Sequence, residues 1–354
     1  PISSTGTNVL AWTDANSTYS SNAYNLNNFS SASAGFNIGG SSGSQGFNLT
    51  STGPSAITLT TASARYSDIL TELSGPNWLT SLPSIASLSA TNTAGFSLDS
   101  ALSLSHSFSL TSSRALNINS AITVSGMGNT INLVSGGDLT LSQVLTATGD
   151  INLSALSGVL KLNTISESNA ALNSSDGNIT VRNKRFVNNY GSSAFSAATG
   201  NWQIWSTNDS PFSGSTPDDS GNLAYDYKQY SIDYGITPAG SGNGLLYSYA
   251  PTITVGLQNV SKTYDGFLAA SVSNANFTLD GVVDSDVLKL NYSSANYSDA
   301  HVATANKTVL VEGLTLDSVT SNTGKSVYGY ILSKSSVTGS GEITAANLTI
   351  TGRN

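Results

Sequence analysis

The chain has 354 residues, a formal net charge of −8 from 13 Lys+Arg against 21 Asp+Glu, and no cysteine. That balance argues against a nucleic-acid partner, because phosphate binding needs clustered cations to displace counterions, and it excludes disulfides and thiolate metal sites. Charged residues make up only 10% of the chain although 38% of it is hydrophobic. The polar surface is therefore built from Ser, Thr, Asn and Gly, and the apolar residues recur as regular pairs, which points to order and not to a disordered polar tract.

From the amino terminus, Pro1 to Tyr66 carries scattered aromatics, with Phe36/Ile38, Phe47/Leu49 and Ile57/Leu59 reading as short strands and Gly39-Gly40 and Ser41-Ser42-Gly43 as corners. Ser67-Asp68 before Ile69, Leu70 and Leu73, closed by Gly75-Pro76, predicts one short helix inserted at a corner. The interval 1–94 is thus expected to hold irregular coils with a helical decoration.

The interval 95–200 is the regular part. Leu102/Leu104, Phe108/Leu110, Leu116/Ile118, Ile122/Val124, Ile131/Leu133, Leu139/Leu141, Ile151/Leu153 and Ile179/Val181 each place two side chains on one face of a strand. The pairs echo at about 20 residues (Leu102 to Ile122, Leu104 to Val124, Ile131 to Ile151, Leu133 to Leu153), the coil length of a parallel β-helix, or solenoid, in which each coil buries its pair against the next. Gly126, Gly128, Gly136-Gly137, Gly149, Gly158 and Gly177 are expected at corners needing positive φ. Asp138, Asp150 and Asp176 beside them should bond turn amides. Arg182, Lys184 and Arg185 form the only basic knot, read as a solvated loop, with an anionic ligand as the alternative.

Residues 201–250 concentrate Trp202, Trp205, Tyr225, Tyr227, Tyr230 and Tyr234 and end in a Pro/Gly/Ser run, which predicts an aromatic cap over the end of the solenoid and a hinge. Residues 251–354 carry longer strands with turn signals every ~8–12 residues, as in an immunoglobulin-like β-sandwich. The fold class expected is all-β, a right-handed parallel β-helix followed by a sandwich. No apolar run approaches ~18 residues, so no membrane span is expected. The chain opens at Pro1 with no initiator Met and no signal peptide, and is read as an excerpt of a longer polypeptide.

Lys262-Thr263-Tyr264-Asp265-Gly266, the run from Leu279 to Val287, Tyr297-Ser298-Asp299, Lys307-Thr308-Val309 and Gly313-Leu314 resemble the YDG-type repeats of bacterial surface exoproteins. Phe267 stands where the family usually has Thr, and Ser285-Asp286 where it has Gly-Asp. The segment Asn201–Trp205 with Tyr225–Gly235 resembles the junction between β-helix and repeats in filamentous-haemagglutinin-like adhesins. The resemblance implies a secreted, two-partner-exported adhesin on the bacterial surface, with an outer-membrane secretion pore as partner of the full-length protein. In that frame Tyr264 is expected in the core and Asp265-Gly266 in a turn.

Catalysis is poorly supported. His106 and His301 are the only histidines and sit in different modules. Asp280, Asp284 and Asp286 are spaced closely enough to suggest calcium, but no ordered ligand loop surrounds them, so no cofactor or metal is expected. For binding, Trp12, Tyr19, Tyr24, Tyr66 and Trp78 could offer flat faces to a sugar, or could plug uneven coils. The expected function is adhesion by a monomeric chain to an extracellular polysaccharide or a cell-surface glycan. The alternatives are a polysaccharide-degrading β-helix enzyme and a passive stalk.

Overall fold

The computed structural model describes residues 101–104, 107–112, 114–164 and 170–349. It also describes the backbone of strands at 7–12, 34–41, 44–51, 55–61, 85–91 and 96–98. Among these residues the chain is nearly all β, its only helical element being the 3-10 turn Asn274–Asn276. It divides into two compact units. The first comprises Pro1–Tyr225, Asp233–Gly235 and Ser241–Ser248; the second comprises Asp226–Ile232, Ile236–Gly240 and Tyr249–Asn354. The stretch expected as a single aromatic cap is therefore shared between them.

In the first unit the apolar pairs find one another through parallel pairing. One ladder runs from Phe108–Ser112 through Ile131–Ser135, Ile151–Leu162 and Ile179–Asn188 to Trp202–Ser206. A second joins Phe96–Leu98, Leu116–Ile118, Leu139–Leu141 and the later halves of the two long strands. The third joins Leu102–Leu104, Ile122–Val124, Leu145–Ala147, Leu172–Ser174 and Phe195–Ala197. The chain visits the three in turn. All four echo pairs are register partners: Leu102↔Ile122, Leu104↔Val124, Ile131↔Ile151 and Leu133↔Leu153. Their side chains are almost wholly buried, and each such Leu or Ile gains roughly 1.5–3 kcal/mol from leaving water.

The pattern has a third inward position that apolar pairs alone do not announce. Ser112, Ser135, Ala155, Asn183 and Ser206 are consecutive register partners and all are buried. Ser135 shows what small polar residues do there, since its hydroxyl lies 2.8 Å from the carbonyls of both Arg114 and Asp138 and its oxygen accepts from Gly137 N at 3.2 Å, so it finds hydrogen-bond partners at the corner although buried.

Several local expectations change. Ala34–Ser41 and Ser44–Ser51 pair antiparallel down to Ser41↔Ser44, so Gly39 and Gly40 lie inside a strand of a hairpin and not at a coil corner. The sheets are accordingly mixed. The expected helix after Ser67 lies outside the described residues, as does His106. Gly149, Gly158 and Gly177 do not adopt positive φ. They are required by close approach: a Cβ on Gly177 would meet the Gly149 carbonyl carbon and the Asp150 nitrogen at 2.4 Å. The corner acids also bond differently. Asp138 Oδ1 accepts from Val159 N at 2.8 Å and Asp150 Oδ1 from Asn178 N at 2.8 Å, so each staples its turn to the following round of chain. The basic knot is on the strand Ile179–Asn188 and is not a loop.

The second unit has its own core, built from Leu257, Val260, Leu290, Tyr297, Val309, Val311, Leu314 and Ile343 among others. Thr252–Leu257 pairs antiparallel with Phe277–Asp280 and parallel with Ile331–Leu332. Ala303–Glu312 lies between Ser294–Tyr297 and Ser336–Thr344, both antiparallel to it, and Val260–Thr263 adds to the latter in parallel. Thr315–Thr320 pairs antiparallel with Val287–Asn291 and with Ser326–Tyr328. Ser326–Tyr328 in turn pairs in parallel with Tyr227–Gln229, a strand contributed from ahead of the expected domain start. Ala269 makes an isolated antiparallel bridge with Asn296.

Candidate functional site

Of the sequence-predicted binding residues, Tyr19, Tyr24, Tyr66 and Trp78 lie outside the described residues. Trp12 is described only as the last backbone position of the strand Thr7–Trp12, paired with Thr61. A grouping of polar and aromatic side chains lies further along the first unit, on the outward face of its first ladder.

Alternation along those strands puts Asn132, Asn152, Thr180 and Gln203 in one outward row, with Asn152 Nδ2 donating to Asn132 Oδ1 at 2.8 Å. Ser154, Arg182 and Trp205 form the next row. The Arg182 guanidinium stacks 3.7 Å from the ring centroid of Tyr234. Trp205 meets the same tyrosine edge-on, with centroids 5.3 Å apart and planes at 82°. Tyr234 is 51% exposed while Trp205 is buried. Arg182 Nε and Trp205 Nε1 are buried without a hydrogen-bond partner among the described residues. The rest of the basic knot is engaged structurally: Lys184 Nζ donates to Asp209 Oδ2 at 2.7 Å and to Thr207 O at 2.9 Å, and Arg185 Nε to Pro217 O at 2.9 Å. The result is a polar amide row beside a half-exposed aromatic ring backed by a guanidinium. Such an arrangement can receive a sugar ring and its hydroxyls.

The second unit holds two ionic clusters that motif reading located only in part. In the first, Lys262 Nζ donates to Asp265 Oδ1 at 2.8 Å, Phe267 O at 2.6 Å and Ala269 O at 2.9 Å, while Phe267 N donates to Asp265 Oδ1 at 2.9 Å. Gly266 closes the turn with φ +82°. The Lys262 bond and the Phe267 amide hold the Asp265 carboxyl below its ordinary range. Tyr264 is 44% exposed, contrary to the expected core position. Its backbone pairs with Thr344 O, and the lysine two residues earlier does the anchoring.

The second cluster is buried. Lys228, whose side chain is fully enclosed, donates at 2.6 Å to Asp284 Oδ2 and at 2.6 Å to Asp286 Oδ1. Tyr230 OH donates to Asp286 Oδ2 at 2.7 Å, and Tyr330 OH lies 3.0 Å from the same oxygen and 3.1 Å from Val283 O. Burial, with the Asp286 charge adding to it, pushes the Tyr330 hydroxyl well above its usual range, so it remains a donor. The lysine ammonium sits against two of the carboxylates suggested for calcium. The lone lysine within Tyr225-Asp226-Tyr227-Lys228-Gln229-Tyr230 was the available signal, but nothing local says which acid it meets.

Residues 249–339 match the family model of the YDG domain. No curated protein and no solved structure matches the chain. Among the described residues no helix is long and apolar enough to cross a membrane, and no group of three or more His, Cys, Asp or Glu is placed to hold a metal ion.

Proposed function

We propose that this chain is a segment of a secreted bacterial surface adhesin of the filamentous-haemagglutinin-like kind. In this reading the first unit is a right-handed parallel β-helix and the second an immunoglobulin-like sandwich of YDG type. The observation that carries it is the in-register stack of parallel strands from Phe108 to Ser206, visited in a fixed rotation. Stacked rounds of chain are a rigid support that presents a continuous outward face. The YDG match supports the family assignment of the second unit. Function is recognition of an extracellular polysaccharide or cell-surface glycan, without bond breaking, at the Asn132/Asn152 row beside Arg182, Trp205 and Tyr234.

The test is a glycan array probed with the whole chain, followed by Tyr234→Ala and Arg182→Ala. Losing the ring face or the guanidinium behind it should weaken a genuine hit about tenfold, ~1.4 kcal/mol, measured at a temperature where each variant, having lost an internal stacking contact, is still fully folded. Retained affinity in both variants moves the site elsewhere. New reducing ends or unsaturated products favour the degradative enzyme, and a blank array with an adhesive parent protein favours the passive stalk.

A further inference from the structure

The geometry points to a covalent amide cross-link between Lys228 Nζ and the side-chain carboxyl of Asp286, formed by the folded chain on itself. Lys228 and Asp286 side chains are both fully enclosed and 2.6 Å apart, Nζ to Oδ1. The contact is closed to bulk water, and one proton can pass directly across its 2.6 Å from Nζ to Oδ1 as condensation proceeds. An amine held against a carboxyl from which water is excluded meets the conditions for condensation.

The surrounding groups correspond to the needs of that step. Attack of Nζ on Asp286 Cγ moves negative charge onto Oδ2, which already faces Tyr230 OH at 2.7 Å and Tyr330 OH at 3.0 Å, two hydroxyls that can receive the developing charge. Asp284 Oδ2, 2.6 Å from the same Nζ, is placed to take a proton from the nitrogen and return it to the departing Oδ1. Its side chain is 47% exposed, which gives the released water a way out. The Nζ–Cγ bond forms, the Cγ–Oδ1 bond breaks, and the ammonium and carboxylate together lose one water; no oxidant, cofactor or energy source is needed. Asp284 and Ser285 adopt φ of 51° and 56°. This left-handed pair, closed by Asp286 N donating to Val283 O at 3.1 Å, turns both carboxylates toward one amine. Backbone held in a sparsely populated region is characteristic of sites where geometry is imposed for function.

The link would tie the strand Tyr227–Gln229 to the Val287–Asn291 region within the second unit. Its existence does not depend on the glycan-binding reading. The test begins with the unaltered full chain, purified and analysed by intact-mass spectrometry. The expected mass is lower than the sequence mass by one water. Tryptic digestion should then yield peptide 186–262, uncleaved at Lys228, joined to peptide 263–289. Lys228→Arg, which keeps the charge but cannot condense in this way, should show the full sequence mass, and Asp284→Ala should form the link more slowly or not at all. A wild-type chain at full mass, with Lys228 cleaved normally by trypsin, overturns the proposal. So does a water loss confined to a single peptide at Asp176-Gly177, Asp265-Gly266 or Asp280-Gly281, because cyclisation at an Asp-Gly step removes water without joining two peptides.

Discussion

Gly177→Ala probes the parallel stack at one of its tight backbone approaches. The added Cβ would lie 2.4 Å from Asp150 N and from the Gly149 carbonyl carbon, and 2.7 Å from Asp150 Oδ1. Ordinary contacts to carbon begin at ~3.5 Å, so about 1 Å of room is missing. The two nearest obstructing atoms are backbone. They are held by Asp176 N donating to Thr148 O at 2.8 Å, Ile151 N to Asn178 O at 2.9 Å and Asn178 N to Asp150 Oδ1 at 2.8 Å. Separating the rounds enough to fit a methyl group loosens one or two of these bonds, each worth about 1 kcal/mol, on top of about 1–3 kcal/mol for overpacking. The expected loss is about 2–5 kcal/mol. Gly214→Ala is the control: nothing lies within 4 Å of a Cβ added there, but φ is +80°, so only the left-handed penalty of roughly 1–2 kcal/mol applies. Urea unfolding followed by tryptophan fluorescence reads the first unit, to which all 4 tryptophans of the chain belong. If Gly177→Ala unfolds at the same urea concentration as the parent chain, the backbone-on-backbone column does not exist and the stacking argument fails.

Two further outcomes follow from the YDG region. Lys262→Met removes three donated hydrogen bonds from a side chain only 12% exposed and should cost about 2–3 kcal/mol, whereas Tyr264→Ser at the half-exposed tyrosine should cost under ~0.5 kcal/mol; calorimetry ranking them the other way would restore the tyrosine as the anchor. Asp265 and Asp299 both have carboxyls held below the ordinary value of 3.8, the first mainly by the Lys262 bond and the second mainly by the Lys307 bond, each aided by a backbone amide. A depressed folded-state value means that the stabilisation is present above pH 3.8 and is lost as pH falls through the lower folded values. The parent chain should therefore lose melting temperature more steeply below about pH 4 than the Asp265→Asn, Asp299→Asn double variant, and parallel acid profiles would remove this linkage.

What could be read locally was the all-β character, the inward pairs and their partners. Side chains at i and i+2 share a strand face whatever the surroundings, and an echo such as Ile131 to Ile151 names the register directly. The YDG motif string was legible for the same reason, as a run of nearby residues. Features that depend on what lies one round away were hidden. Asp150 looks like any turn aspartate until Asn178 N is placed beside it, and Gly177 looks like a conformational glycine until the Gly149 backbone fills its Cβ position. The hairpin at Ala34–Ser51 was hidden because period-two apolar spacing carries no information on strand direction. Tertiary structure alone decided the two clusters of greatest chemical interest. Arg182 and Tyr234, and Lys228 and Asp286, are brought together by chain paths too long for local periodicity to encode. A buried charge identifies its partner only when the fold has removed water from both.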